Sequence, residues 1–506
     1  MPITNDASAT PFRPKAEIFA IAAAALFAAA GSFWSVQHAL GKWDGLHWGS
    51  VIARSMRICE GAPPFTDVPI FYGPLSFYLY CAVGSLTEFS NLTFGIATFV
   101  AYTIIIGSWT LIGRRLGFSS LGVALFIAIA ALCHPFPQYP WYDYIAGAFF
   151  GMGCLAVIAF RAASWRTATL SAGLICAAVL ARTTYAPMVI VGLTALYILK
   201  FLNPAAIARL LGASLGYILL FFAFIWIVYG VTPVDVLSIM IDNTLLIGSV
   251  FDKNGFKNFL SWPMSQPVVL FNVALASGLC YFLAEWPDTT KNYRVGIAFY
   301  LASLVGYALN THIFEFFRLI CATPYLLLLL SETSSRTFQN LSCSSRGVFR
   351  TSVRAVSLAL ILYVAAVSAT RYPNATALFP ARANNAISGW SVMGIRFHSN
   401  EQAQFYESVV KACGKRALIN MTGDVLISRM CSTNVIVADT LYETKLWIAA
   451  HRPDLATRLL NSRPRLKDGE VLFTYQADIG ELKLITTIPN RKQDWVSTDI
   501  YVYEAF

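Results

Sequence analysis

The chain has 506 residues, of which 57% are hydrophobic and only 13% charged, and its mean hydropathy is +0.58. A water-soluble protein of this length carries about a quarter charged residues, so the composition excludes a wholly soluble globular protein and points to a polytopic membrane protein. The net charge of +10 does not require a nucleic-acid partner. The basic residues cluster between apolar runs (Arg114 and Arg115; Arg161 and Arg166; Lys200 and Arg209; Arg336, Arg346, Arg350 and Arg354), which is the positive-inside pattern of a membrane protein.

In chain order, residues 1–15 form a short tail expected on the cytoplasmic side, and residues 16–370 a polytopic transmembrane domain. Apolar runs of bilayer-spanning character lie near 16–36, 70–88, 92–112, 119–135, 142–160, 167–181, 184–201, 207–229, 264–284, 294–309, 316–331 and 352–370. The first has no clear cleavage site and reads as a retained anchor. The expected fold class is therefore an all-α membrane domain of about eleven to thirteen transmembrane helices. Placing the basic loops inside puts 133–142, 230–262, 309–315 and the end of the chain outside. That arrangement needs an odd number of crossings, against twelve runs counted. One of the first three runs must be split, re-entrant or interfacial.

The first outer loop, 37–72, is the most distinctive stretch. It reads K-W-D-G-L-H-W-G-S and then G-A-P-P-F-T-D-V-P-I-F-Y-G-P-L, running on into the next helix. An ordinary connector is short, and an acid beside the bilayer is costly to desolvate, so a long aromatic loop with Asp44 and Asp67 suggests a site. A carboxylate there can act as general base on an acceptor hydroxyl. The alternative is that both acids cap short interfacial helices. A second outer segment, His134-Pro-Phe-Pro-Gln-Tyr-Pro-Trp-Tyr-Asp143, ends in an acid at a helix start. It reads equally as an aromatic belt with an N-cap. A third, Asn310-Thr-His312-Ile-Phe-Glu315-Phe-Phe-Arg318, offers an arginine whose planar fork suits a lipid phosphate or pairs locally with Glu315. Arg182, between two apolar runs, carries the same two readings.

After Thr370 the composition changes. Residues 371–506 hold 16 Lys or Arg and 13 Asp or Glu, and short strand-like runs begin at Ala417, Asn434, Val471, Leu482 and Ile500. A helix is expected over Tyr442–Leu460. This is a small soluble α/β domain, expected outside the membrane. Cys59 stands alone in the first loop, whereas Cys413 and Cys431 share the soluble region and form a candidate disulfide.

The sequence resembles the GT-C superfamily of membrane glycosyltransferases, especially the bacterial protein-O-mannosyltransferase-like branch with lipid A aminoarabinose transferases and rhizobial galacturonosyltransferases. Asp44 falls at that family's early acid. Thr66-Asp67 with Tyr72-Gly73-Pro74-Leu75 falls at its second element, and Arg114-Arg115-Leu116-Gly117 followed by Asp143 at its next stretch. The likeness covers roughly residues 16–160. Asp-Gly replaces the acidic pair, which weakens an acidic-pair metal site, and a single Gly-Pro replaces the double proline; the cofactor is left open, a divalent metal being possible but not required by the sequence. The resemblance implies an inverting transfer from a polyprenyl-phosphate sugar to a cell-envelope glycan, lipid or protein at the outer face of a bacterial inner membrane. Asp44 and Asp67 would be catalytic, and Tyr72, His134, Asp143, Arg182, His312 and Arg318 would bind donor or acceptor. The rival functions are a transporter or permease, with charges inside its helices, and a surface-polysaccharide polymerase or ligase, with a large late outer loop.

Overall fold

A computed structural model describes residues 47–65, 68, 70, 73–133, 142–241, 266–284, 291–310, 316–339, 390–397, 400–414, 416–422, 424–431, 435–437, 466–480, 482–489 and 499–505, with isolated positions at 22, 355 and 359. Helices dominate the first part: α1 (His47–Cys59), α2 (Leu75–Leu86), α3 (Asn91–Arg115), α4 (Ser120–Cys133), α5 (Tyr142–Phe160) and α6 (Trp165–Ala181). They continue with α7 (Tyr185–Ile198), α8 (Pro204–Tyr229), α9 (Gln266–Ala284), α10 (Lys291–Asn310), α11 (Phe316–Ala322) and α12 (Pro324–Gln339). The anchor run 16–36, the run 352–370, the tail 1–15 and the expected helix 442–460 lie outside the described residues.

Helix α5 is the hub, packing on α3 and α6, while α6 leans on α8, α7 on α10, and α12 on α4 and α9. Small residues allow these approaches: a Cβ at Gly151 would stand 3.1 Å from Ser108 Cβ, and one at Gly153 2.9 Å from Ile175 Cγ1. Among the described residues three helices are long and apolar enough to cross a membrane: 92–115, 142–160 and 204–229. In the last, only 6% of the apolar window is covered by the rest of the chain. Leu211, Leu215, Leu219, Leu220 and Ile227 are all exposed. Each such side chain is worth about 1.5–3 kcal/mol on leaving water, so this face calls for a lipid environment.

Two apolar runs fold differently from the simple reading. The run 70–88 is not a traverse of the bundle. Its helix α2 has 12 residues, about 18 Å long, and forms a hairpin with α3 in which Tyr80 packs on Phe94 and a Cβ at Gly84 would strike the Phe89 ring. Its first turn meets the C-terminal end of α6, where Ser76 Oγ donates to Ala181 O at 3.4 Å. It therefore enters and leaves from one end of the bundle. The run 316–331 is broken between α11 and α12, because Pro324 has no N–H to continue the helical ladder and opens a new helix instead. The first loop is not a plain connector either: it holds α1, whose Trp48, Val51, Ile52 and Met56 are buried.

At the opposite end of the bundle the basic residues close the helix connections. Arg114 Nη1 donates to Phe118 O (3.2 Å) and Ser120 Oγ (2.8 Å), and Arg209 Nε donates to Ala162 O (3.1 Å). Glu332, buried on α12, accepts from the Ser119 amide (2.9 Å) and hydroxyl (2.8 Å) and pairs with Arg336 at 3.0 Å. A side chain at Gly122 would collide with that carboxylate.

The C-terminal region is α/β. Its helices are α13 (Asn400–Cys413) and α14 (Val425–Met430). A five-stranded sheet has the order β5 (Val435–Val437), β4 (Ala417–Asn420), β6 (Glu470–Thr474), β8 (Ile500–Glu504), β7 (Lys483–Ile488). Its first three strands are parallel and its last two pairings antiparallel. Where β7 lies beside β8, hydrogen bonding from Lys483 and the nearby Arg416 guanidinium hold the Glu504 carboxyl below its ordinary range. A second sheet joins the two halves of the chain. Strands β2 (Trp390–Val392) and β3 (Ile395–Phe397) form a hairpin, and β3 pairs in parallel with β1 (Phe89–Ser90), just ahead of α3. The hairpin loop Met393-Gly394 has positive φ at both residues, matching the twist of its strands.

The sulfurs of Cys413 and Cys431 are joined, linking α13 to the end of α14 with Cα atoms 5.6 Å apart. Cys59 is not alone: it is bonded to Cys81, tying α1 to α2 across 5.5 Å. Two helices folded side by side brought together cysteines that the sequence places 22 positions apart.

Candidate functional site

The site grows from the matching ends of α5 and α6, consecutive antiparallel helices. Asp143 lies in the first turn of α5 and Arg182 caps the C-terminus of α6, so each charge meets the favourable end of its helix dipole. Arg182 Nη1 is ion-paired to Asp143 Oδ1, and each side chain is only 1% exposed. Arg182 Nε donates to Thr184 Oγ1 at 2.8 Å, which fixes the plane of the guanidinium. Tyr185, buried at the start of α7, packs against Phe150 of α5 with ring centroids 5.3 Å apart.

Gly73, just after the first loop, is seated beside this pair. A Cβ there would lie 2.2 Å from Leu180 O and 2.8 Å from Ala181 C, so only glycine lets the chain approach the last residues of α6 at this point. Helix α11 closes another side. A Cβ at Gly147, one turn along α5 from Asp143, would meet Cys321 O at 3.2 Å. The segment that carries Arg318 is thus packed on the helix that carries Asp143.

Of the residues singled out from sequence, the structure brings Asp143 and Arg182 into direct contact and sets Arg318's helix beside them. Asp44, Asp67, Tyr72, His134 and His312 lie outside the described residues, and nothing is described of the side chain of Arg318. Sequence analysis passed over Ser76 and Thr184, as well as Arg54, a buried arginine on α1. Among the described residues no cluster of three or more His, Cys, Asp or Glu could hold a metal ion.

Comparison with models of protein families finds none that matches the chain, and comparison with curated proteins finds no match either. Function is therefore read from the site. A buried arginine with one carboxylate partner, at the mouth of an apolar bundle, is suited to meeting a phosphate. A wall of the same helices is wholly apolar: between α5, α6, α7 and α10 lies a crevice lined by Phe150, Ile175, Met188, Leu193 and Phe299. Phe150 stands two turns along α5 from Asp143, roughly 10 Å.

Proposed function

We propose that the chain is a multi-pass membrane glycosyltransferase that moves a sugar from a polyprenyl-phosphate donor to an acceptor hydroxyl at the extracytoplasmic face. The observation that supports this most is the seating of Gly73 against Leu180 and Ala181, the residues just before Arg182 of the buried Arg182–Asp143 pair. It brings the residue that follows the acidic, aromatic stretch in the sequence to the end of the bundle where Arg182 stands, the end opposite the basic connections. The apolar crevice below it suits part of an isoprenoid tail.

In this reading Asp44 takes the proton of the acceptor hydroxyl as its oxygen forms a bond to the anomeric carbon. The bond from that carbon to the donor phosphate breaks on the opposite face, and the phosphate keeps the electron pair. Arg182, assisted by Arg318, stabilises the charge that develops on the leaving phosphate. Asp143 holds the guanidinium in place, and Asp67 supports the loop. The acceptor is a glycan, lipid or protein of the cell envelope.

Sidedness follows the charges. With the basic connections in the cytoplasm, α2 does not cross, which removes one of the twelve runs and leaves the odd number that a cytoplasmic start and an outer terminal domain require. Both disulfides then lie in an oxidising compartment, where such bonds persist. After reduction of intact cells, an impermeant thiol reagent should label Cys59, the exposed member of its disulfide. Labelling confined to inverted vesicles would overturn this topology.

The donor class is tested in liposomes. Purified protein with a crude envelope acceptor fraction should transfer sugar from polyprenyl-phosphate donors and not from sugar nucleotides. Transfer from nucleotide donors alone would reject the role given to the arginines. The transporter reading is favoured by one feature, an ion pair buried between helices. The same vesicles separate the two, because a transporter would accumulate solute inside without forming a glycosidic bond.

A further inference from the structure

We infer that the terminal α/β domain is a fixed platform that seats helix α1, and through it positions the chain just ahead of α1 that carries Asp44, with Asp424, Tyr406 and Gly49 as positioning residues. The inference rests on the glycosyltransferase reading for what Asp44 does, but the contact itself stands on geometry.

The platform is locked from within. At the end of β4, Asn420 Nδ2 donates to Asp424 O (2.7 Å) and Ser428 Oγ (2.9 Å), and Asn420 Oδ1 accepts from the Thr422 amide (3.0 Å) and hydroxyl (2.7 Å). Asp424 caps α14, accepting from the Leu426 amide at 3.0 Å on one oxygen and from Tyr406 OH at 2.7 Å on the other. All of these residues are buried. Such a satisfied polar network fixes one arrangement, because any departure strands polar groups out of water.

Helix α1 lies directly on it. A Cβ at Gly49 would stand 3.2 Å from Leu426 Cβ, 3.4 Å from Leu426 N and 3.5 Å from Asp424 Oδ1. Further along α1, Gly394 of the β2–β3 hairpin faces Met56, with its would-be Cβ 3.7 Å from Met56 Cε. At the helix end Glu60 is ion-paired to Arg429. Beyond α2, Glu88 pairs with Arg396 at 2.7 Å where β1 joins β3. The terminal domain therefore touches α1 at its first turn, its last turn and past its end, and Asp44 stands three residues before α1 begins. A segment held at three points along its length transmits its register to the residues that precede it.

The contacts assign the terminal domain to the chain's own helix α1. Two experiments on the full-length protein in membranes test this. The double variant Gly49→Cys with Leu426→Cys should cross-link under mild oxidation and keep transfer within about twofold of its reduced form. A loss of transfer on oxidation that returns on reduction would show that the domain must lift away, and would overturn the fixed platform. Failure to cross-link would remove the contact and the inference with it. Gly49→Val, which wedges α1 off α14, should lower kcat about a hundredfold, the usual effect of misplacing a reacting group by about 1 Å, with KM for the lipid donor unchanged. Gly49→Ala should recover most of that loss. A raised KM with normal kcat would return the domain to substrate binding and reject positioning. An efficient cross-link in a protein that transfers no sugar from any donor counts against the glycosyltransferase reading, while the docking stands.

Discussion

Replacing Arg182 or Asp143 singly by alanine should destabilise the bundle by about 3–5 kcal/mol, because each change leaves the other charge buried with its partner gone. Replacing both by apolar residues of similar size, Asp143→Leu with Arg182→Met, should be neutral or even stabilising by about 1–4 kcal/mol. The contrast is sharp, since neither side chain has solvent to fall back on. Denaturant unfolding in detergent, followed by tryptophan fluorescence, measures it. A double variant as damaged as the singles would show that the pair is held by more than mutual neutralisation. The same double variant carries the functional question. If Arg182 meets the donor phosphate, a well-folded double variant should have lost transfer by a hundredfold or more. A folded variant with normal turnover would confine the pair to structure.

The sequence was most legible where physics is local. Apolar runs of helical length became helices because the chain must satisfy its own backbone, and the strand-like runs at Ala417, Val471, Leu482 and Ile500 became β4, β6, β7 and β8. It was least legible where distant segments decide. The run 70–88 looks like a crossing, since its residues are as apolar as those of its neighbours; what stops it is Gly73 meeting the end of α6, more than a hundred positions away. The pairing of β1 with β3 joins strands of two and three residues across some three hundred positions and leaves no local signature. The Asp143–Arg182 pair lies between these cases. Both residues stood out, but as separate ligands. Their meeting could have been read from two consecutive antiparallel helices whose outer ends fall at 143 and 182. Cys59 and Cys81 would have needed the half-length α2 to be known first.

The substitution with the largest effect on chemistry should be Asp44→Asn. Asparagine keeps the size and one carbonyl oxygen of the side chain but cannot accept the acceptor's proton, so a residue acting as general base should lose about a hundred- to ten-thousandfold in kcat. Expression and unfolding should be unchanged, because α1 is seated on α14 through Gly49, Leu426 and Asp424, and Gly73 on α6 through Leu180 and Ala181. Two comparisons sharpen the result. Asp67→Asn, at the second acid of the loop, should cost less if Asp67 supports the loop, and a loss equal to that of Asp44→Asn would make the two carboxylates partners in one step. The pH profile discriminates further. Turnover that depends on an ionised Asp44 should fall as the pH drops through its pKa in the wild type, and the residual activity of Asp44→Asn should lack that limb. A wild-type-like rate in Asp44→Asn would take the general base away from the first loop, and the reaction would then need another carboxylate within reach of Arg182.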